Sequence, residues 1–600
     1  MNYLKNSLIN IVDFLKSTTA YFRDVLLLHG FMLFILLPSL SSLTKFILRR
    51  GNIDYLSYDS IGIILKEHPA VLISLLLVLT AIVISVFFEF TFLLLSVFFI
   101  KKKEPISLKQ LLAGTFSQIK KIKPSTFLFF LFYFFLILPV SGLNFNSDLL
   151  AKIKIPAFIL DYIFANRVII IAAVIIAYLL LIYLSIRLIF ALPEMILRDR
   201  KFKEAVAESW QLTKNRFFKI IGQFIAIGGT ILLISIIGYT AIFIFQSFME
   251  AQFPTYALQS AVAAMTLLQL MFLLNIIFST VGIFYITIDF MDDEGFLPTL
   301  PSWFEKEENA PAAPWTFTKV MLFAVAAALF GMGVGTYNTN YLSNYSIKEP
   351  LTISHRGVDD TNGVQNSLEA MRKTSQLKPS YIEMDIQETK DHQFVVMHDF
   401  NLKNLTGVNK RPNQLTLAEL EKLKAKENGQ EASVVSFDAY LAEAKKLNQP
   451  LLIEIKATPQ DSPDMLNNFI KRYKDIIIKE KHIIHTLTFD IAENLKEKEP
   501  DFQVGYILPF NIIGPPISKV DFFTMEYTTL NRNFIDAAHN DGKKVYAWTV
   551  NDEDTMTRMM FYGVDGLITD QMELLKETIK TDLKEPTYSD KLFYFVTGIG

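Results

Sequence analysis

The stretch LTISHRG, residues 351–357, is a short β-rich run that ends in a histidine, an arginine and a glycine. From there to about residue 575, short β-rich runs alternate with helical patterns, which is typical of parallel β/α units. We predict strands near LTISH (351–355), YIEMDIQ (381–387), PLLIEIK (450–456), IIHTLTF (483–489), QVGYIL (503–508), DFFTMEY (521–527), KVYAWTV (544–550) and DGLITD (565–570). Eight strands in about 220 residues favour a compact α/β (β/α)8 TIM barrel, with its chemistry at the carboxyl ends of the strands.

The composition of the whole chain indicates that part of it lies in lipid. Of its 600 residues 51% are hydrophobic, 52 are Phe, and the mean hydropathy is +0.31, which is too apolar for an ordinary soluble protein. The formal charge of −2 and the lack of a basic stripe interleaved with aromatic residues argue against nucleic acid as a partner. The absence of Cys excludes disulfides, thiolate catalysis and cysteine–zinc sites.

Seven stretches before residue 340 are apolar over the roughly 20 residues that a helix needs to cross a bilayer. They lie near 25–47, 70–100, 125–145, 167–196, 217–247, 260–289 and 316–337. We therefore expect an all-α multi-span membrane domain at 1–340, a linker at 341–350, the barrel at 351–575 and a C-terminal tail at 576–600. The first residues lack the order of a cleavable signal peptide, so the first span is expected to be retained. Nothing in the sequence indicates an oligomeric state.

Basic residues near the ends of the spans predict the orientation, because Lys and Arg in such loops tend to stay cytoplasmic. The segments 101–123 and 198–216 are rich in Lys and Arg, whereas the loop QSFMEAQFPTY at 246–256 has none. We expect a multi-pass protein of the cell membrane with a cytoplasmic N-terminus and an extracytoplasmic barrel. Lys45, Arg49, Arg50 and Lys66, which flank the first outer loop, oppose this orientation.

The two basic segments share a pattern. KQLLAGTFSQIKK (109–121) and KEAVAESWQLTKN (203–215) align without gaps, and both are typical of amphipathic helices on the cytoplasmic surface. Either a similar composition or an internal duplication would explain the similarity of the two segments.

Polar side chains cluster at the predicted strand ends. His355 and Arg356 end the first strand, Glu383 and Asp385 lie on the second, and a returning hairpin, QFVVMHD (393–399), ends in His398 and Asp399. Because strand side chains alternate, Glu383 and Asp385 share one face, which in a barrel is the interior.

Glu454 and Lys456 share a face of the next strand in the same way. Buried carboxylates need compensating charge, and oxygen ligands without Cys favour Mg²⁺ or Ca²⁺. His355 and His398 could then act as acid and base while Arg356 and Lys456 bind an anion, a combination that suits metal-assisted phosphoryl chemistry. A simple ion pair between Glu454 and Lys456 is the alternative.

The motifs HRG, EMD, HD, EIK, WTV and VDGLITD, in this order over roughly 351–570, resemble those of the glycerophosphodiester phosphodiesterase family. The hydrophobic half resembles the membrane region that accompanies this domain in some bacterial members. The resemblance implies metal ligands at Glu383, Asp385 and Glu454, and a catalytic acid and base at His355 and His398. It also implies phosphate binding by Arg356 and Lys456, and a glycerol pocket lined by Trp548, for which core packing is the alternative. Gln365 departs from the family, many members of which have Glu there.

The leading hypothesis is a membrane-bound enzyme that hydrolyses a glycerophosphodiester to sn-glycerol 3-phosphate and an alcohol. The substrate could be soluble, a lipid or a lipid-linked glycerol-phosphate polymer. The alternatives are a non-catalytic sensor or transporter that binds a lipid headgroup, and a metal-independent phospholipase of similar form. His392, His482, His485 and His539 are expected to have ordinary structural roles. Glu89 and Arg187, within apolar runs, are expected to form a structural charge pair or a functional site.

Overall fold

The N-terminal half of the computed structural model is a bundle of long apolar helices. The structure describes residues 18–51, 53, 58–120, 168–301, 303–304, 317–343, 348–510, 514–582 and 586–598. Within these, five helical segments are long and apolar enough to cross a membrane: Tyr21–Arg50, Pro69–Lys101, Ile171–Leu197, Phe217–Gln252 and Pro254–Asp293. They coincide with the first, second, fourth, fifth and sixth predicted spans. The third predicted span, 125–145, lies outside the described residues, and the seventh coincides with the helix Phe317–Ser343.

The bundle buries large side chains between its helices and leaves apolar side chains on its outer surface. Phe98 and Phe224 are almost fully buried, whereas Ile225 and Leu233 are exposed, as expected where lipid replaces water as the solvent. The two predicted surface helices are present as Leu108–Lys120 and Phe202–Leu212. Arg187 donates a hydrogen bond to the backbone carbonyl of Trp210 at 2.8 Å, and its guanidinium lies over the indole ring of Trp210. This buried cation therefore contacts the second surface helix.

The barrel contains all eight predicted strands, which are parallel and form a closed sheet. The strands are β1 (Leu351–Ser354), β2 (Tyr381–Glu388), β3 (Phe394–Val396), β4 (Lys424–Glu427), β5 (Gln430–Ser433), β6 (Leu451–Ile455), β7 (Ile483–Thr486), β8 (Val504–Leu508), β9 (Phe522–Glu526), β10 (Lys544–Trp548) and β11 (Gly566–Thr569). The order around the barrel is β1-β2-β6-β7-β8-β9-β10-β11, closing back on β1, and β3 is an antiparallel strand added to β2. A separate two-stranded ribbon, β4–β5, was not predicted.

Helices cover the outside of the barrel and bury the outward faces of its strands. They are Leu368–Ser375, Phe437–Lys446, Met465–Lys479, Phe489–Lys498, Arg532–Asn540, Glu553–Tyr562 and Met572–Asp582. Inside, the end nearest the amino termini of the strands is filled by an apolar layer: Ile353, Leu452, Ile483, Phe522, Tyr546 and Ile568. We call this end the floor and the opposite end, at the carboxyl ends of the strands, the mouth. The packed floor leaves the mouth as the place for a site.

The barrel is seated on the bundle. Tyr341, in the last long helix of the bundle, stacks edge-on against Phe561 of the barrel, and Lys348 lies 3.7 Å from Asp565. The expected C-terminal tail contains a helix, Tyr588–Gly598, whose Leu592 is fully buried among apolar side chains of the bundle. Its first turn is capped by Glu250, which accepts hydrogen bonds from the backbone N–H groups of Tyr588 and Ser589. This helix therefore joins the two halves of the chain.

Candidate active site

His355 follows β1 at the mouth and is held by a carboxylate. Its Nδ1 lies 2.8 Å from Oδ1 of Asp570, which follows β11, and Asn551 donates to the other oxygen of Asp570 at 2.8 Å. Burial alone would lower the pKa of His355, but the negative charge of Asp570 outweighs it and raises that pKa. The same contact, against the effect of burial, lowers the pKa of Asp570 to about 2. The pair favours a protonated, oriented imidazole.

Arg356 and Gly357 turn the backbone sharply after His355. Both have positive φ, +52° and +71°. A Cβ on Gly357 would lie 3.0 Å from the hydroxyl of Tyr440, so the close approach as well as the conformation suits glycine. The turn directs the backbone N–H of Arg356 at Glu383 Oε2, 2.7 Å away. The HRG motif thus ties the end of β1 to the carboxylate on β2.

Asp385 is surrounded by positive and amide groups. Asn366 donates to its Oδ2 at 2.8 Å, Lys456 Nζ lies 3.3 Å from Oδ1, and Arg356 Nε lies 3.9 Å from Oδ2. Burial would raise the pKa of Asp385, but Lys456, His398 and Arg356 together lower it well below its usual range. Asp385 is therefore ionised while it is 1% exposed.

Glu454 and Lys456 form the contact that alternation along β6 predicts. Lys456 Nζ donates to Glu454 Oε1 at 3.0 Å and lies 5.7 Å from the ring centre of Phe400. Burial opposes the charged ammonium, yet Glu454 and Asp385 raise the pKa of Lys456. The ion pair exists, and its ammonium also lies beside the carboxylates expected to bind a cation.

His398 follows β3 and completes the set of predicted proton carriers. Its Nδ1 lies 2.9 Å from Oδ1 of Asp399. Burial, with the nearby cations Arg356 and Lys456, lowers the pKa of His398 to about 4 despite the opposing effect of Asp385. His355 and His398 thus have opposite protonation preferences, which suits an acid and a base.

A group of three buried side chains offers ligand atoms to a metal ion. One ligand atom from each of Glu383, Glu454 and His485 lies within 4.8 Å of the others. His485 accepts or donates at Nδ1 with Thr524 at 3.1 Å, while its buried Nε2 has no hydrogen-bond partner among the described residues. Burial and the charge of Asp385 raise the pKa of Glu383 to about 8. An unpartnered imidazole nitrogen and crowded carboxylates are what a divalent cation would satisfy, so these residues fit one.

His485 is expected from the sequence to have an ordinary structural role, yet it lies beside these carboxylates. It lies on β7 directly opposite Glu454 of β6, and two residues after Ile483 of the interior floor layer. Alternation from Ile483 therefore places it inside, and this signal was present in IIHTLTF. Asp385, the third predicted ligand, lies beside this group with its Oδ1 turned to Lys456.

Gln365 stands where many family members have Glu, and it contacts a carboxylate from another part of the chain, Glu427. Its amide donates to Glu427 Oε1 at 2.6 Å, and its carbonyl oxygen accepts from Arg356 Nη1 at 2.7 Å. Glu427 belongs to the unpredicted β4–β5 ribbon. Gln365 thus links Arg356 to a carboxylate instead of supplying one.

Trp548 ends β10 at the mouth and is partly buried. Its indole N–H donates to the carbonyl of Thr524 at 3.2 Å, so the neighbouring strand fixes the plane of the ring. Arg356 and Lys456 can bind an anion, and the two histidine–carboxylate pairs near these cations can move protons.

Both halves of the chain match models of known protein families. A family model described as the membrane domain of glycerophosphoryl diester phosphodiesterase matches residues 9–330, and one for the glycerophosphoryl diester phosphodiesterase family matches residues 355–574. A glycerophosphodiester phosphodiesterase of Caldanaerobacter subterraneus is 28% identical over 38% of this chain and 98% of its own. A human lysophospholipase D is 26% identical over 38% of this chain and 84% of its own.

Solved structures match the same region. A phosphodiesterase of Oleispira antarctica in complex with the product sn-glycerol-3-phosphate is 18% identical, with a TM-score of 0.34, over 38% of this chain and 97% of its own. A glycerophosphodiester phosphodiesterase of Thermotoga maritima is 20% identical, with a TM-score of 0.31, over 38% of this chain and 98% of its own.

Proposed function

This chain belongs to the glycerophosphoryl diester phosphodiesterase family, and we propose that it hydrolyses a glycerophosphodiester to sn-glycerol 3-phosphate and an alcohol at the barrel mouth. Membership makes it a phosphoric diester hydrolase, so the non-catalytic sensor or transporter is set aside. The observation that carries the proposal is the pair of histidine–carboxylate contacts, His355–Asp570 and His398–Asp399, near the cations Arg356 and Lys456.

Each predicted residue has a part in this chemistry. Arg356 and Lys456 would bind the phosphate oxygens, since each is a cationic side chain at the site, beside Asp385. His398, kept neutral by its low pKa, would take the proton of the attacking oxygen. His355, kept protonated by Asp570, would give a proton to the leaving alcohol. Trp548 would line the glycerol pocket.

A divalent cation, Mg²⁺ or Ca²⁺, would be held by Glu383, Glu454 and His485, with Asp385 as a further candidate ligand. Bound there, it would supply positive charge to stabilise the phosphate oxygens. The clustering of these carboxylates supports a metal-dependent enzyme over a metal-independent phospholipase. In the absence of a cation, the raised pKa of Glu383 leaves one of these acids protonated.

The test is release of glycerol phosphate by the purified full-length protein, with the sn-3 and sn-1 forms measured separately. Soluble glycerophosphodiesters, phosphatidylglycerol and a glycerol-phosphate polymer are the substrates, each with and without a chelator. We expect release from at least one substrate, its loss with the chelator, and its return with Mg²⁺ or Ca²⁺. Release that the chelator leaves unchanged would overturn the metal requirement, and no release from any substrate would overturn the activity.

We place the barrel outside the cell, on a multi-span membrane domain. The barrel sits at the end of the bundle that carries Glu250 and Tyr341. The basic residues Lys101 and Lys219 pair with acids at the other end of the same helices, Asp289 and Glu294. A protease added to intact cells should remove the region after Tyr337, and full protection of the barrel would overturn the orientation.

A further inference from the structure

The β4–β5 ribbon packs on two loops of the candidate site. Ala425 and Ala432 pair across the ribbon and lie in one apolar cluster with Val364 and Met397. Val364 lies in the loop that follows the HRG motif, and Met397 directly precedes His398. Burial of these apolar side chains therefore holds the ribbon against both loops.

The tip of the ribbon binds the loop after the HRG motif. Glu427 and Gln430 pair on either side of the turn, and strand alternation places them on the same face as the two buried alanines. Glu427 Oε2 accepts from the backbone N–H of Gln365 at 2.8 Å, and Oε1 accepts from the side-chain amide of Gln365 at 2.6 Å. Gln430 donates to the backbone carbonyl of Thr361. The ribbon tip thus holds this loop at two points.

Glu427 determines which end of the Gln365 amide faces Arg356. A carboxylate only accepts hydrogen bonds, so the amide turns its NH₂ group to Glu427 and its carbonyl oxygen to Arg356. That oxygen accepts from Arg356 Nη1 at 2.7 Å. Without the carboxylate the amide is free to turn round, and its NH₂ group would then meet a guanidinium, which has only donors.

Arg356 keeps a donor available because Gln365 binds Nη1 and not Nε. The Nε atom is buried without a hydrogen-bond partner among the described residues. The backbone of Arg356 is fixed as well, since its N–H donates to Glu383 and its carbonyl accepts from the N–H of Asn366 at 2.8 Å. A guanidinium held in one orientation can present its planar set of donors to two phosphate oxygens at once.

We propose that Glu427 is a positioning residue of the active site, which acts through Gln365 to hold the guanidinium of Arg356 in the orientation that binds the substrate phosphate. The inference rests on the proposed hydrolysis and adds to it a residue outside the barrel strands. A contact that only fastened the ribbon to the barrel would affect stability and leave phosphate affinity unchanged.

The experiment exchanges the two side chains. In Glu427→Gln, either orientation of the new amide turns its NH₂ group against an N–H of Gln365, because both oxygens of Glu427 accept from that residue. In Gln365→Glu, two carboxylates face each other. In the double variant Gln365→Glu with Glu427→Gln, the amide at 427 donates to the carboxylate at 365, whose other oxygen accepts from Arg356.

Glu431→Gln is the matched control. Glu431 lies on the outward face of the same ribbon, where it pairs with Lys426 at 3.2 Å and is 49% exposed. The substitution therefore makes the same chemical change on the same ribbon without reaching Gln365.

The measurements are steady-state kinetics on glycerophosphocholine and calorimetric binding of sn-glycerol 3-phosphate to the purified full-length protein. Each single variant should raise KM and Kd by about tenfold, because a hydrogen bond to a charged group is lost. The kcat should change little, since the lost interaction binds substrate and transition state alike. The double variant should recover most of both losses, and Glu431→Gln should match the wild type.

Unchanged KM and Kd in the single variants, whatever their Tm, would overturn the positioning role and leave the proposed function standing. A double variant that recovers neither constant would do the same, because the exchange restores every hydrogen bond of the original contact. If the wild type hydrolyses no glycerophosphodiester, the proposed function fails, and the Kd series still decides whether Glu427 positions Arg356. A wild type that also binds no glycerol phosphate would overturn both.

Discussion

The mouth and the floor of the barrel each carry a histidine–aspartate pair of the same length. His355 and Asp570 lie 2.8 Å apart at the mouth, and His539 and Asp565 lie 2.8 Å apart at the floor. The pairs differ in their surroundings. The side chain of His355 is 18% exposed and adjoins Arg356, whereas that of His539 is 39% exposed on the surface of a helix. A histidine–carboxylate contact therefore indicates chemistry here only together with buried charges around it.

The interiors of the two ends differ in the same way. At the floor, Leu452 and Ile483 fill the barrel with hydrocarbon. Two residues further along the same strands, Glu454 and His485 bring charge and an unpartnered nitrogen to the mouth. Buried polar groups without partners are costly, so the apolar floor carries the stability while the mouth keeps the potential to bind.

Removal of either proton carrier at the mouth should have the largest effect. His355→Ala or His398→Ala should lower kcat by about 10²–10⁴-fold, the usual contribution of general acid–base catalysis, with folding and metal binding retained. Steady-state kinetics on a soluble glycerophosphodiester is the measurement. The floor variant His539→Ala is the matched control and should keep its rate. Near-normal turnover in a mouth variant would remove that residue from the chemistry.

Loss of a candidate metal ligand should have the next largest effect. We expect Mg²⁺ or Ca²⁺ to raise the Tm of the wild type, because a ligand that binds the folded state stabilises it. Glu383→Gln and His485→Gln should weaken the apparent affinity by at least the roughly tenfold to hundredfold that loss of an outer-shell partner costs. A calorimetric titration of Tm against metal concentration measures this without reference to activity.

His482→Gln is the control for the metal experiment, because His482 lies three residues from His485 but at the floor, where it accepts a hydrogen bond from the backbone of Leu451. It should keep the metal-induced rise in Tm. An equal loss in His482→Gln and His485→Gln would mean that the effect comes from the fold and not from ligation.

His482 and His485 show what could and could not be predicted from the sequence. The eight strands follow from β-rich runs at regular spacing, and Glu383, Asp385 and Glu454 follow from alternation along them. The sequence predicts an ordinary role for His485, because a single histidine in a strand carries no mark of its partners. What makes it a candidate ligand is its register opposite Glu454, and register between strands depends on the closed barrel.

Of the remaining features, some could be predicted from the local sequence, and others depend on contacts between distant parts of the chain. The β4–β5 ribbon turns at Asn428-Gly429, both with positive φ, and Asn-Gly is a strong hairpin signal that would have led to Glu427. The approach of Lys45, in a membrane helix, to Gly514 of the barrel joins residues far apart in the chain, and no sequence pattern reports it. The helix at 588–598 could be expected from YSDKLFYFVTG, but its place on the bundle could not.

At the floor, pH should act on stability through His482. Burial lowers the pKa of His482 to about 4 from an ordinary value of 6.5. Between about pH 6.5 and about pH 4, His482 is protonated in the unfolded chain but neutral in the folded chain. The free energy of unfolding therefore falls as the pH falls through this range. The limit for this one group is about 3 kcal/mol. His482→Gln should show a smaller drop in Tm between about pH 7 and about pH 5 than the wild type or His539→Gln. An unchanged drop would show that His482 is not the group responsible.

The smallest expected effect contrasts two aromatic residues on one strand. Trp548 and Tyr546 lie two residues apart on β10, so both face the interior, Trp548 at the mouth and Tyr546 in the floor layer against Phe522. Trp548→Phe removes the N–H that donates to Thr524 and part of the ring that we propose lines the glycerol pocket. The lost contact between ring and substrate is expected to be worth about 1 kcal/mol, so KM should rise roughly fivefold while kcat changes little. Tyr546→Phe should leave both constants as they are, because the floor does not meet the substrate. An unchanged KM in Trp548→Phe, measured alongside a lowered Tm, would assign Trp548 to packing, as for its neighbour at the floor.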